Sequence, residues 1–300
     1  MNFGILGNPD GWYVRELQRV ATDRGHRTIC VDFRTLAATI GDIQTKVSSQ
    51  GEALHQFDAL LVRTMPPGSL EQVVYRMDVL QRLQSQGVLI LNSPKAIETA
   101  VDKFLTSAKL AAAGLPTPRT IVCETADDAC EAFARLGGDV VVKPLFGSEG
   151  RGILRVSDPD LAFRTFRTLE RTQSVLYLQE FIPHDGSDLR VLVLDGQVVG
   201  AFRRRHPSDF RTNVARDGLA EAYEVNSAES SLALQAAEAV GACFAGIDLM
   251  YDPRQTDPQQ SCMVIEANAV PGWKAFQATT GIDVATRVIE YVENACHGSE

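Results

Sequence analysis

Short apolar runs alternate with stretches of helical spacing over the first ninety-odd residues, and this alternation is what most restricts the fold. Residues 3–6 are apolar, 13–24 carry Val14, Leu17, Val20 and Ala21 on one helical face, and 27–33 and 59–63 read as strands. An amphipathic helix over 70–84 and a strand over 88–91 continue the pattern. Strands that alternate with helices imply a parallel sheet covered on both faces. Gly4, Gly7 and Gly11 follow the first strand without Gly-x-Gly-x-x-Gly spacing, so they are expected to serve the turn and helix packing rather than a nicotinamide cofactor.

Asn92-Ser93-Pro94 marks a boundary, because the residue before proline is pushed out of helix. One helix is expected over 96–113, then a strand over 120–123, a helix over 126–136, and strands over 140–143 and 175–181. The turn cluster 183–187 is a second boundary. Beyond it, strands over 189–194 and 198–203 flank Asp195-Gly196, a strong two-residue hairpin signal. A helix over 232–241, strands over 246–251 and 263–268, and a closing helix over 285–295 complete an antiparallel sheet with helices. Three units are expected: 1–94, 95–183 and 184–300.

A net charge of -9 argues against a general nucleic-acid binder, which must neutralise phosphates. No apolar stretch reaches the roughly 18 residues of a membrane helix, and the start lacks a secretory pattern, so a cytoplasmic protein with no membrane partner is expected. The six cysteines have no framework spacing and are expected to be reduced and mostly buried.

Two of the six lysines stand in unusual places. Lys143 ends an apolar strand and precedes the glycine-rich segment 147–152. An ammonium there needs a partner, and a flexible backbone beside it can close on phosphate oxygens. The structural alternative is a surface hairpin with a snorkelling lysine. Lys103 lies in a helical stretch and on its own reads as solvated. Glu266 and Asn268 share one face of a strand. In a hairpin that ends at Tyr251 and Met263, Asp248 falls opposite Glu266, with Ile247, Leu249, Ile265 and Ala267 on the other face. Three oxygen side chains converging in apolar surroundings suit magnesium held with nucleotide phosphates, against the alternative of a polar sheet face. Six arginines against two acids between 190 and 216 form a basic patch that would grip a phosphoryl group or a carboxylate. The hairpin register places Arg203, not Arg204, on the face of Asp188. Neither a hydrolase elbow nor metal-ligand histidine spacing is present.

These parts, in this order, resemble the ATP-grasp superfamily and within it the RimK-like α-L-glutamate ligases. The segments that carry the resemblance are Asp102-Lys103-Phe104-Leu105-Thr106, residues 143–152, Asp209-Phe210-Arg211-Thr212-Asn213, Gly246-Ile247-Asp248 and Glu266-Ala267-Asn268. It implies an ATP-grasp fold, α/β with an α+β C-terminal part, preceded by a Rossmann-like parallel-sheet domain. It implies that Lys103 and Lys143 contact ATP phosphates under a lid containing Gly147, Ser148, Glu149 and Gly150. Gln179, Glu180, Phe181 and Ile182 would form the adenine hinge, mostly through backbone groups, and Asp188 would face the ribose or phosphates, with Asp185 able to share its role. Arg211, Thr212 and Asn213 would approach the nucleotide. Asp248, Glu266 and Asn268 would hold two Mg2+ ions, with Mn2+ able to replace them. Arg204, together with Arg190 and Arg211, would serve the transferring phosphoryl, which sets the resemblance against the register that favours Arg203. The stretches 62–72 and 270–274 are similar to relatives that make tetrahydromethanopterin-type cofactors. Arg63 and Trp273, with Arg76, are placed by this beside the acceptor, although each could equally be structural.

The implied activity is ATP-dependent carboxylate–amine ligation through an acylphosphate. L-glutamate is the amine, and the acceptor is a small carboxylate cofactor such as a tetrahydromethanopterin-type pterin, or a protein C-terminus, in a chain that can form homo-oligomers. Two other readings stay open: an ATP-binding module without ligase activity, and an NAD-binding enzyme.

Overall fold

The computed structural model describes residues 1–41, 45–147, 150–206, 209–211, 219–256 and 261–298. The N-terminal sheet is built from β1 (Asn2–Leu6), β2 (Arg27–Val31), β6 (Ala59–Val62) and β7 (Leu89–Leu91). It is parallel throughout, in the order β2-β1-β6-β7. Helix α1 (Trp12–Asp23) covers one face through Val14, Leu17, Val20 and Ala21. Helix α2 (Leu70–Ser85) covers the other, opened by a reciprocal capping box between Ser69 and Gln72. A small sheet of β3 (Leu36–Thr39), β4 (Lys46–Ser49) and β5 (Glu52–Ala53) packs beside α2, a feature that alternation of long elements did not foreshadow.

The 96–113 stretch is two helices rather than one. Helix α3 (Pro94–Val101) ends at Asp102, whose backbone is extended (φ -93°, ψ 106°). The Asp102 carboxylate then accepts from Leu105 N–H and caps α4 (Lys103–Ala112). Lys103 is therefore the first residue of a helix instead of a mid-helix lysine.

The second sheet comprises β8 (Thr120–Cys123), β9 (Val140–Lys143), β10 (Leu154–Val156) and β11 (Leu176–Glu180), in the order β10-β9-β11-β8 with antiparallel pairs. Its core with α5 (Ala126–Arg135) and α6 (Pro159–Arg171) is separate from the others. The third sheet, β14-β13-β12-β15-β16, is antiparallel: β12 (Ser187–Leu194), β13 (Gln197–Arg205), β14 (Leu219–Tyr223), β15 (Phe244–Tyr251) and β16 (Cys262–Asn268). Helix α7 (Ser227–Val240) packs on one face. The chain ends with α8 (Lys274–Thr280) and α9 (Val284–His297).

One hydrophobic cluster joins the first and third sheets: Phe3, Ile5 and Leu61 meet Leu192, Phe202, Phe244 and the fully buried Trp273. Asn92 stitches the same junction, donating from Nδ2 to the carbonyls of Phe244 and Ala269 and accepting from Phe244 N–H at 2.8 Å. Gly4, Gly7 and Gly11 are packing residues. A Cβ at Gly4 would stand 2.3 Å from Leu60, one at Gly7 2.9 Å from Val14, and one at Gly11 2.9 Å from the Asn8 carbonyl. All six cysteines are free, but only Cys262 is buried; the others are half-buried, contrary to expectation. Among the described residues no helix is long and apolar enough to cross a membrane.

Candidate active site between the second and third sheets

A cleft of about 670 Å³, open to solvent on one side, lies between the end of β9, the 179–184 connection and the outer face of the third sheet.

Lys143 enters the cleft from the last position of β9. Its ammonium donates to Gln179 Oε1 at 2.6 Å, a neutral acceptor. Burial holds its pKa down, to about 8; Glu266 and Asp248 draw it up, and Lys103 pushes it down. Gln179 completes its own bonds to the hydroxyls of Thr120 (3.1 Å) and Tyr177 (3.3 Å). Lys103, at the start of α4, donates to the carbonyl of Gly147 at 2.9 Å, so the glycine segment is tied directly to that helix. Gly150 adopts the left-handed region at φ +68°. Ser148 and Glu149 lie outside the described residues, as do Thr212 and Asn213.

In the hinge, the N–H groups of Glu180 and Phe181 are already bonded to the carbonyls of Arg119 (2.9 Å) and Asp139 (3.0 Å). The Glu180 side chain turns away, to Arg119 at 2.8 Å. The N–H of the buried Ile182 has no partner among the described residues and is the donor left for a ligand. Phe181 lies under the Arg155 guanidinium at 3.5 Å. His184 also lines the cleft, and burial lowers its pKa. Sequence inspection passed it over, and its place in the 183–187 turn was the signal.

On the third sheet Asp248 pairs with Glu266 and Gly246 with Asn268. The register differs from expectation: the hairpin ends with Tyr251 opposite Cys262, and a bulge at Ile265 restores the Asp248–Glu266 pairing. Ile265 consequently faces the cleft, while Ile247, Leu249 and Ala267 pack under α7 as expected. A second bulge, at Val199, shifts β12 against β13 so that Asp188 pairs with Arg204 and not Arg203. Arg203 stacks over Tyr223 at 4.8 Å on the opposite face.

The result is an open chain of buried charges that runs Asp188, Arg204, Asp248, Arg190. Arg204 forms a two-pronged pair with Asp188 and reaches Asp248 at 2.9 Å. Arg190 forms a two-pronged pair with Asp248, one arm at 2.7 Å. Burial alone would raise the Asp248 carboxyl, yet Arg190 and Arg204 hold it below its ordinary value. Burial likewise opposes charge on Arg204, and the two aspartates raise it. Asp185, by contrast, bonds Ser187 and the exposed Arg205, away from Asp188. Arg211 folds back on Asp209 at 2.7 Å.

Glu266 is different. It is half-buried, faces Asp248 and accepts no hydrogen bond among the described residues. Asn268 Oδ1 accepts from Val270 N–H at 2.8 Å. A lone carboxylate beside Asp248, with an amide oxygen on the same strand, is a hard oxygen donor set that fits magnesium. Among the described residues there is no group of three His, Cys, Asp or Glu gathered for a metal, so the set rests on two acids and an amide. Nor is Lys143 bonded to an anion among the described residues, and the polyphosphate of a nucleotide fits that deficit. Trp273 and Arg63 sit apart, at the junction with the first sheet, with the guanidinium 4.2 Å above the indole.

Residues 100–292 match the RimK-like ATP-grasp domain, and residues 1–97 match the RimK PreATP-grasp domain. The chain belongs to the RimK-like ATP-grasp family. This ATP-grasp chain is 32% identical to a tetrahydromethanopterin:alpha-L-glutamate ligase of Methanosarcina acetivorans, over 96% of this chain and 97% of that one. It is 30% identical to a probable alpha-L-glutamate ligase of Aeromonas salmonicida, over 98% and 96%. Its fold matches the ATP-grasp ligase PsnB complexed with minimal precursor, Mg and ADP (TM-score 0.75, 21% identity, 98% of each chain). It also matches a RimK domain protein of Sphaerobacter thermophilus (TM-score 0.74, 22% identity, 97% and 99%). The chain is thus an ATP-dependent C–N ligase of a family that works with ATP and magnesium.

Proposed function

We propose that this ligase joins the amino group of L-glutamate to the carboxylate of a small acceptor, with a tetrahydromethanopterin-type pterin as the favoured acceptor class. The observation that carries the reading is the pair of unmatched charges in one cleft: the Lys143 ammonium on a neutral amide, and the Glu266 carboxylate with no donor among the described residues. Nucleotide phosphates and divalent metal answer both.

Lys143 and Lys103 hold the phosphates, with the Gly147 and Gly150 backbone closing over them. The Ile182 N–H meets the adenine edge, with Gln179, Glu180 and Phe181 shaping the hinge. Asp188 holds Arg204 in position. Asp248, Glu266 and Asn268 hold two magnesium ions, which when bound neutralise phosphoryl oxygens. Arg190 and Arg204, fixed by aspartates, present their remaining guanidinium N–H groups where charge develops as the acceptor carboxylate takes the γ-phosphoryl and ADP leaves; the glutamate amine then displaces phosphate. Arg211 approaches by releasing Asp209, and Arg63 borders the acceptor with the buried Trp273 packed behind it.

The test is incubation with Mg-ATP, L-glutamate and a panel of carboxylates, read by ADP release and mass spectrometry. Gain of one glutamyl unit on a pterin carboxylate is expected, and gain on a protein C-terminus would reassign the acceptor. ADP release independent of any carboxylate would overturn the ligase assignment of these residues.

A further inference from the structure

Four arginines are buried among the described residues, and two of them, Arg190 and Arg204, are matched by carboxylates. Arg63, only 8% exposed, has no acidic partner among the described residues. Its one hydrogen bond goes from Nη2 to the Pro271 carbonyl at 2.6 Å, and its Nε is buried without an acceptor, as is Nε1 of Trp273. The guanidinium is held between Trp273, at 4.2 Å, and Tyr13, at 4.9 Å. Burial lowers its pKa to about 10, with only Tyr13 pulling the other way. Aromatic faces and one carbonyl fix a guanidinium in position without neutralising it, and a buried cation left so is costly.

Its place in the fold is equally specific. Arg63 is the first residue after β6, beside Gly7 at the end of β1, and a Cβ on Gly7 would stand 3.3 Å from the Arg63 Cβ. The chain leaves β1 for β2 on one side and returns to β6 on the other, so this is the topological switch point of a parallel sheet. Ligands bind such sheets in the crevice outside the carboxyl ends of the strands at that point. The N-terminus of α1 opens there with no side-chain cap. Pro271 connects the crevice to the reacting centre, since its Cβ and Arg190 Nη1 both crowd Gly246, at 3.0 and 3.1 Å from where a Cβ would stand.

We propose that the Arg63 crevice binds a substrate carboxylate other than the one activated, an inference that rests on the ligase reading above. That carboxylate belongs to the L-glutamate side chain or to a second acid on the acceptor, and the same fork would read either.

The test is calorimetry on the full-length protein loaded with Mg-ADP, using L-glutamate against L-glutamine and glutarate against its monoamide. The wild type should prefer the acid over the amide in at least one pair by on the order of ten- to a hundredfold. Arg63→Lys should reduce that preference and Arg63→Met abolish it, with Mg-ADP affinity unchanged. Preference in the L-glutamate pair alone assigns the amino-acid substrate; preference in the glutarate pair alone assigns the acceptor. Equal binding of acid and amide by the wild type overturns the proposal, whether or not the variants fold. So does a preference that survives in variants with normal Mg-ADP affinity. Wild-type protein that fails to bind Mg-ADP would strike the ligase reading itself, and this subsite with it.

Discussion

Asp248 and Glu266 face each other across one antiparallel strand pair, yet the protein neutralises only one of them. Asp248 is gripped by Arg190 and Arg204, while Glu266 accepts nothing among the described residues. The two carboxylates therefore differ in what their removal does.

Glu266→Gln should cut ADP formation by about a hundredfold or more, while the thermal midpoint nearly holds, because no hydrogen bond among the described residues is lost. Asp248→Asn should lower both, since it strips charge from two buried arginines, at a cost of about 3–5 kcal/mol. Differential scanning calorimetry beside an ADP-release assay separates them. Equal destabilisation by the two substitutions would contradict the assignment.

Lys143→Met removes a desolvated ammonium that, among the described residues, bonds only Gln179. Nucleotide affinity should fall by on the order of ten- to a hundredfold, with no loss of thermal stability. Titration calorimetry with Mg-ADP reads the first and thermal unfolding the second. A destabilised variant with intact affinity would make Lys143 structural.

Asp102→Ala removes the cap of α4 and should cost about 1 kcal/mol. Because Lys103 begins that helix and bonds Gly147, KM for ATP should rise as well. Steady-state kinetics at varied ATP would show it, and an unchanged KM would detach Lys103 from the nucleotide.

Glu293 on α9 is held at a pKa of about 2, first by its hydrogen bonds from Arg24, against burial, and then by His26. A depressed carboxyl stabilises the fold above its unfolded pKa, and that contribution is lost as pH falls from about 4.5 towards 2. The stability difference between wild type and Glu293→Gln should be full at pH 6 and shrink towards pH 3. Denaturant titrations across that range test it, and a constant difference would refute the linkage.

Element types were legible wherever a long apolar period ran uninterrupted, as in α1, the β12–β13 hairpin and β15. Asp195 and Gly196 take positive φ (51° and 66°), as a tight turn of that sequence requires. Single-residue irregularities were not legible. A bulge arises from packing on both faces of a sheet at once, and neither Val199 nor Ile265 carries a local mark. Simple pairing arithmetic therefore placed Arg203 beside Asp188 and sent Ile265 to the wrong face. Asp102 did carry a signal, as an N-cap residue three positions before Leu105, but the helical period on either side of it masked the break. The free N–H of Ile182 and the acid-free setting of Arg63 depend on what distant segments supply.

The Asn92 stitch and the aromatic cluster around Trp273 weld the first sheet to the third, whereas the second sheet keeps a core of its own. On the proposed function, any closure over a nucleotide would fall to the β8–β11 module, a jaw set against that welded anvil. Arg190 and Arg204 both ride on the anvil, so their aim would be preserved through such a stroke.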